Sequence, residues 1–151
     1  MKEFNTIDDI FDFAMNSEQE SVDFYKDLAK NAENEDMREL FSQFAQEEVR
    51  HKAKIMKVKE EESCELPREK IQDLKVIDYL VSVRPYPDMS YQDALILAMN
   101  KEKAAFRLYM DISEKADNEE MKELFLTLAQ EESKHKLRFE LEYDDYVLRE
   151  N

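Results

Sequence analysis

The sequence predicts an all-α protein, a four-helix bundle made of two repeated helical hairpins joined by a long crossover. Three observations carry this. The 151 residues include no Gly, and all three Pro (Pro67, Pro85 and Pro87) fall together near the middle, so both halves lack the strongest helix breakers. The halves repeat each other at one constant offset. Ala14-Met15-Asn16-Ser17-Glu18 with Tyr25 returns as Ala98-Met99-Asn100-Lys101-Glu102 with Tyr109, and Met37 to His51 returns as Met121 to His135. Finally, apolar residues recur at three- and four-residue steps through four segments, the period of an amphipathic helix.

The first helix starts at Thr6, which has Asp9 three residues on, close to a capping box. Its stripe runs Ile7, Phe11, Ala14, Glu18, Val22, Tyr25 and Leu28. A short polar turn, Asn31 to Glu35, leads into the second helix, whose stripe is Met37, Leu40, Phe41, Phe44, Glu48, His51 and Ile55. Such a turn makes the pair antiparallel. The third helix starts at Ser90 with Asp93 behind it and carries Ala94, Ala98, Glu102, Ala105, Tyr109 and Ile112. After the turn Lys115 to Glu119, the fourth presents Met121, Leu124, Phe125, Leu128, Glu132, His135 and Phe139.

The repeats therefore span about 6–56 and about 90–140, with a crossover over about 63–89. The crossover holds every Pro and an apolar patch, Val76, Ile77, Tyr79, Leu80 and Val81, and is read as containing a short helix. A helix of ~25 residues is about 37 Å long at ~1.5 Å per residue, so this connection can run the length of the bundle. A hairpin of about 50 residues cannot bury enough apolar surface alone, so both repeats are expected to share one core in a single domain.

The formal net charge of −15 argues against nucleic acid and anionic membranes as partners, because phosphate binding needs clustered Lys and Arg. Most of the acidic residues read as a solvated surface. No stretch approaches the ~20 apolar residues of a membrane span, and the opening Met1-Lys2-Glu3-Phe4-Asn5 carries no apolar signal core. The expected compartment is the cytoplasm. Cys64, the single cysteine, permits neither an internal disulfide nor a four-Cys iron site, and reads as a free thiol.

In every helix a titratable residue interrupts the apolar stripe, and this is the functional signal. Each half carries a lone Glu followed by a Glu-x-x-His: Glu18 with Glu48 and His51, then Glu102 with Glu132 and His135. Helical residues three apart share a face about 5 to 6 Å apart at Cβ, so each Glu-x-x-His pair can offer an O and an N ligand to one ion. Glu18 and Glu102, near the midpoints of their helices, can bridge or cap two such ions. Four carboxylates balance two divalent cations, and without metal they would crowd a poorly solvated interior. Tyr25 and Tyr109, nearly two turns after Glu18 and Glu102, can hydrogen-bond a ligand carboxylate. Gln46-Glu47 and Gln130-Glu131 also repeat, but they sit about 100° off the stripe and read as solvated or flanking. Met15, Met37, Met99 and Met121 read as core filling.

These residues resemble the ferritin-like di-iron carboxylate superfamily, and within it the rubrerythrin-type proteins without a rubredoxin domain. The resemblance covers about residues 6 to 140. It implies two iron ions, with manganese or a mixed pair as alternatives, held by Glu18, Glu48, His51, Glu102, Glu132 and His135, with Tyr25 and Tyr109 in the outer tyrosine positions. It also implies redox chemistry on peroxide or dioxygen. The peroxidase type carries a further Glu three residues after the third-helix ligand. Here that position is Ala105, which weighs against the peroxidase assignment. With Cys64 alone, the chain lacks the four-Cys site of the rubredoxin-like domain, so electrons are expected from a separate donor protein. A di-iron oxidoreductase is the first reading, an iron-binding or ferroxidase storage protein the second, and a purely structural bundle the third. A homodimer is open as the assembly.

Overall fold

The computed structural model describes residues 3–150; Met1 and Lys2 of the opening segment, and Asn151, lie outside the described residues. Four long helices form a bundle: α1 (Ile7–Lys30), α2 (Glu35–Glu61), α4 (Tyr91–Lys115) and α5 (Glu119–Glu150). The crossover contains a short helix, α3 (Arg68–Gln72), and a 3-10 turn (Val76–Tyr79). Among the described residues no helix is long and apolar enough to cross a membrane.

Side-chain caps begin the four long helices. The Thr6 hydroxyl accepts from the Asp9 N–H while Asp9 Oδ2 accepts from the Thr6 N–H, a reciprocal capping box. Ser90 caps α4 through the Asp93 N–H. Asn34 and Asn118, another pair related by the repeat, cap α2 and α5 through the N–H groups of Met37 and Met121. With no Gly available, α2 ends on Glu62 in the left-handed region at φ 51°, and the N–H of Ser63 closes on the Val58 carbonyl.

α1 packs on α2 and α4 on α5, and α1 meets α4 across the bundle. The core divides into two apolar clusters. One gathers the start of α1, the end of α2, the crossover, the end of α4 and the start of α5, around Phe11, Ile55, Ile112 and Phe125. The other gathers the opposite ends, around Tyr25, Phe41, Leu95 and Phe139. The crossover therefore carries the chain from one end of the bundle to the other, and the two hairpins are related by a pseudo-twofold axis across it.

One detail of the helices differs from the sequence reading. The fourth helix does not stop near residue 140 but continues to Glu150. No breaker interrupts it, and Tyr143 and Tyr146 pack on the second cluster, with the Tyr146 ring 5.0 Å from that of Tyr91. Cys64 is buried in the first cluster, where burial, then Asp117 and Glu65, pushes its thiol up to about 11 and keeps it protonated and inert.

Candidate metal centre

Between the two apolar clusters lies a polar layer. Glu18, Glu48, His51, Glu102, Glu132 and His135, one or two from each long helix, are all buried there. They fall into two groups whose ligand atoms lie within 4.8 Å of one another: Glu18, Glu48, His51 and Glu132, and Glu48, Glu102, Glu132 and His135. Glu48 and Glu132 belong to both. The sequence left open whether Glu18 and Glu102 bridge or cap. The geometry assigns them one group each, as caps, and places Glu48 and Glu132 between the groups.

The arrangement follows the pseudo-twofold. His51 Nδ1 lies 3.4 Å from Glu48 Oε1, 3.8 Å from Glu18 Oε2 and 2.6 Å from Glu132 Oε1. His135 Nδ1 lies 3.2 Å from Glu48 Oε1 and 3.6 Å from Glu102 Oε2. The two imidazoles are nearly parallel, with ring centroids 6.3 Å apart.

The hydrogen-bond accounting shows what this layer is built for. One buried donor or acceptor atom on each of the six side chains has no hydrogen-bond partner: Glu18 Oε2, Glu48 Oε1, His51 Nδ1, Glu102 Oε2, Glu132 Oε1 and His135 Nδ1. Even the close contact of His51 Nδ1 with Glu132 Oε1 lacks hydrogen-bond geometry. A buried polar atom left unpaired costs about 1 to 3 kcal/mol, so six together at one spot need a partner of another kind. Two divalent cations fit. The donors are O and N, the ligand charges cancel those of the ions, and every orphaned atom points into one of the two groups.

Four further atoms, one each on Glu18, Glu102, His51 and His135, are pinned from outside, each across the pseudo-twofold. The Tyr25 hydroxyl donates to Glu102 Oε1, and the Tyr109 hydroxyl to Glu18 Oε1. Nε2 of His51 lies 2.8 Å from Glu131 Oε2, and Nε2 of His135 lies 2.8 Å from Glu47 Oε2. Each His thus turns Nδ1 to the centre and Nε2 to a carboxylate on the opposite helix, which fixes the tautomer able to bind metal through Nδ1. Glu47 and Glu131, which the sequence reads as solvated or flanking, flank the centre while staying partly exposed, and their pairing with the imidazoles is what that reading leaves out. They stand off the stripe of their own helices, but α2 and α5 face each other closely enough for each to reach the other's His. A signal was present: both recur in the repeat, both immediately precede a ligand Glu, and both sit four residues before a ligand His.

The rubrerythrin family model matches residues 9–85 and 93–151. The chain belongs to the rubrerythrin family. Among solved structures it is similar to a crystal structure from Thermotoga maritima described as a ferritin-like diiron-carboxylate protein, with a TM-score of 0.78 and 17% identity over 97% of this chain and 99% of that one. At that identity the likeness shows the ferritin-like fold alone. No curated protein sequence matches the chain.

The electrostatics of this rubrerythrin-family centre favour positive charge at its middle. Burial, reinforced by Glu132, Glu18 and Glu102, drives Glu48 well above the usual carboxylate range. Glu132 is driven up by burial and then by Glu102 and Glu18. Burial on its own would lower both imidazoles, but the carboxylates outweigh it. Glu102 and Glu48 bring His135 up to about 10, and Glu18 and Glu131 raise His51. In the metal-free protein, protons take the place of metal charge. Tyr25 and Tyr109 are raised by burial first and then by Glu102 and Glu18 respectively, so both remain hydrogen-bond donors.

Proposed function

We propose that this protein is a di-iron oxidoreductase that uses bound Fe²⁺ to reduce peroxide or dioxygen. The observation that carries the reading is the set of six orphaned, inward-facing ligand atoms in two groups sharing Glu48 and Glu132. Glu18 and His51 would hold one ion and Glu102 and His135 the other, with Glu48 and Glu132 spanning both. When bound, a pair of Fe²⁺ ions would supply two electrons, the number that takes peroxide to water or dioxygen to peroxide.

The chain's own residues set the conditions. Tyr109 and Tyr25 each hold one oxygen of a capping carboxylate, leaving the other oxygen free to face a metal. Glu131 and Glu47 orient the imidazoles. The two apolar clusters exclude water from above and below the polar layer. Access is from the side, where a cavity between α1, α4 and the crossover reaches Glu18, Glu48, Ala105 and Tyr109. The small side chain of Ala105 leaves that approach open.

A cytoplasmic location and a separate electron-donor protein belong to the proposal, the latter because these 151 residues hold only Cys64 and no four-Cys iron site. A homodimer remains the assembly to test by sedimentation. Ala105 also favours a second reading, an iron-binding or ferroxidase storage protein, since a carboxylate is missing where the peroxidase type carries one. Stopped-flow oxidation of the anaerobically loaded protein by peroxide and by O₂, with and without a chemical reductant, separates the two. Sustained turnover with reductant supports the oxidoreductase. One oxidation per iron delivered, with iron then leaving the centre, supports storage.

A further inference from the structure

The cavity beside the centre is larger than a peroxide or dioxygen molecule requires. Its volume is about 160 Å³, close to the ~150 Å³ of an apolar cavity that takes up benzene. One part of its wall is apolar, with Val81, Ala105 and Leu108 in it, and another is polar, with Asn16, Ser17 and Ser21. Glu18 and Glu48 lie at its inner end, and Lys101, Arg84 and Glu20 also line it.

The lining breaks the internal symmetry that the metal ligands obey. Positions equivalent in the repeat differ here: Ser17 against Lys101, Glu20 against Ala104, and Ser21 against Ala105. A duplicated metal site has no need of these differences. They give one cavity the cation Lys101 and two alanines of its wall, and the crossover adds Arg84. The cations share a single carboxylate, with Arg84 Nη1 3.2 Å from Glu20 Oε1 and Lys101 Nζ 3.7 Å from Glu20 Oε2. The Lys101 side chain is only 10% exposed, so its charge is directed at this spot and not into bulk solvent. Around Glu20 two cations face one carboxylate, which leaves one positive charge over at this end of the cavity, while the charges of Glu18 and Glu48 at the inner end are those that metal ions would balance.

We propose that this cavity binds a small amphiphilic carboxylate, its anionic group paired with Lys101 and Arg84 and its apolar body filling the space against Ala105, Val81 and Leu108. A body of about six non-hydrogen atoms matches the volume. The orientation follows from charge, since the inner end already presents Glu18 and Glu48 and disfavours a further anion there. The inference goes beyond the redox reading, because binding does not require turnover and is measured without it.

Calorimetric titration of hexanoate into the metal-loaded protein, at an ionic strength of about 0.15 M, is the test. Hexan-1-ol, which lacks the charge, and acetate, which lacks the body, are the comparisons. Hexanoate is expected to saturate one site per chain and to bind about tenfold more tightly than either, in line with the strength of charge-assisted hydrogen bonds. Lys101→Met should weaken hexanoate by about the same factor and leave hexan-1-ol unchanged, and Ala105→Phe should weaken both by filling the cavity. No saturable hexanoate binding, or unchanged affinity in Lys101→Met, would overturn the proposal. So would acetate binding as tightly as hexanoate, which would mean direct carboxylate–metal contact. The Lys101→Met comparison decides the matter even where Ala105→Phe fails to fold, and none of these readouts depends on oxidation rates.

Discussion

Glu131→Gln and Glu47→Gln isolate the two carboxylates that reach across the bundle to the imidazoles. Each lies 2.8 Å from the Nε2 of a His whose Nδ1 faces the centre. Gln keeps the size and an acceptor oxygen but removes the charge that makes the imidazole a stronger base. A hydrogen bond to a charged group contributes about 1.5 to 3 kcal/mol net, against about 0.5 to 1.5 for a neutral one. The difference of roughly 1 to 1.5 kcal/mol corresponds to a factor of about five to ten in affinity, near the low end of the 10- to 100-fold typical of partners behind metal ligands. Glu131 is 40% exposed and Glu47 28%, so solvent screens the first more, and Glu47→Gln should cost the more of the two. Because Glu48 and Glu132 join the two groups, the double variant should depart from simple additivity. Anaerobic competition for Fe²⁺ against a chromophoric chelator at about pH 7.5, above the ordinary imidazole pKa, measures this. Fe²⁺ affinities equal to wild type in both single variants would refute the role given to these carboxylates.

Three further outcomes follow from the same geometry. Folded pKa values are raised for Glu48, Glu132, His51 and His135, so the metal-free native state binds more protons than the unfolded chain. The stability they contribute is full below the unfolded values, about 4.3 for Glu and about 6.5 for His, and is lost as pH rises, for His135 through about 10. Apo melting temperatures should therefore fall between about pH 6 and pH 9, a window spanning the imidazole value. The increment from added metal should grow over that window, because metal replaces those protons; an apo midpoint that rises with pH would contradict this. Glu62→Gly should raise the melting temperature by about 1 to 3 °C, since a left-handed residue with a Cβ costs about 1 to 2 kcal/mol and glycine's greater unfolded entropy offsets only part of that gain. A lower midpoint would show that Glu62 makes a compensating contact. Tyr25→Phe and Tyr109→Phe each leave a buried carboxylate oxygen without its donor, and should lower the metal-loaded stability by about 1 to 3 kcal/mol, measurable by denaturant titration; unchanged midpoints would reduce both tyrosines to core filling.

The four long helices and the six converging side chains were legible because one period governs both. Glu18, Glu48, His51, Glu102, Glu132 and His135 occupy positions that the apolar stripe assigns to the interior, and a buried carboxylate without a counter-charge is costly enough to mark a site. Tyr25 and Tyr109 were legible for the same reason, being on the same face. The division of labour between capping and shared carboxylates was not, since it depends on where α2 and α5 stand relative to each other, and helical spacing within one chain segment carries no such information. Which imidazole Glu47 and Glu131 each reach was not legible for a related reason: their partners lie on another helix. The continuation of α5 past Phe139 escaped because its apolar contacts there come from Tyr143 and Tyr146 against Tyr91, a satellite of the core with no repeat counterpart. The cavity was visible only as broken symmetry at Lys101, Ala104 and Ala105, which acquires meaning once the crossover is seen to line the same space.

Two metal ions per chain, with Glu48 and Glu132 shared between them, is the feature on which the rest depends, and elemental analysis after anaerobic Fe²⁺ loading and desalting tests it most directly. Wild type should retain two ions. Glu18→Ala, which touches one group only, should retain about one, whereas Glu48→Ala, which touches both, should fall toward zero. A wild-type plateau near zero, or a Glu48→Ala variant that loads like wild type, would contradict the account.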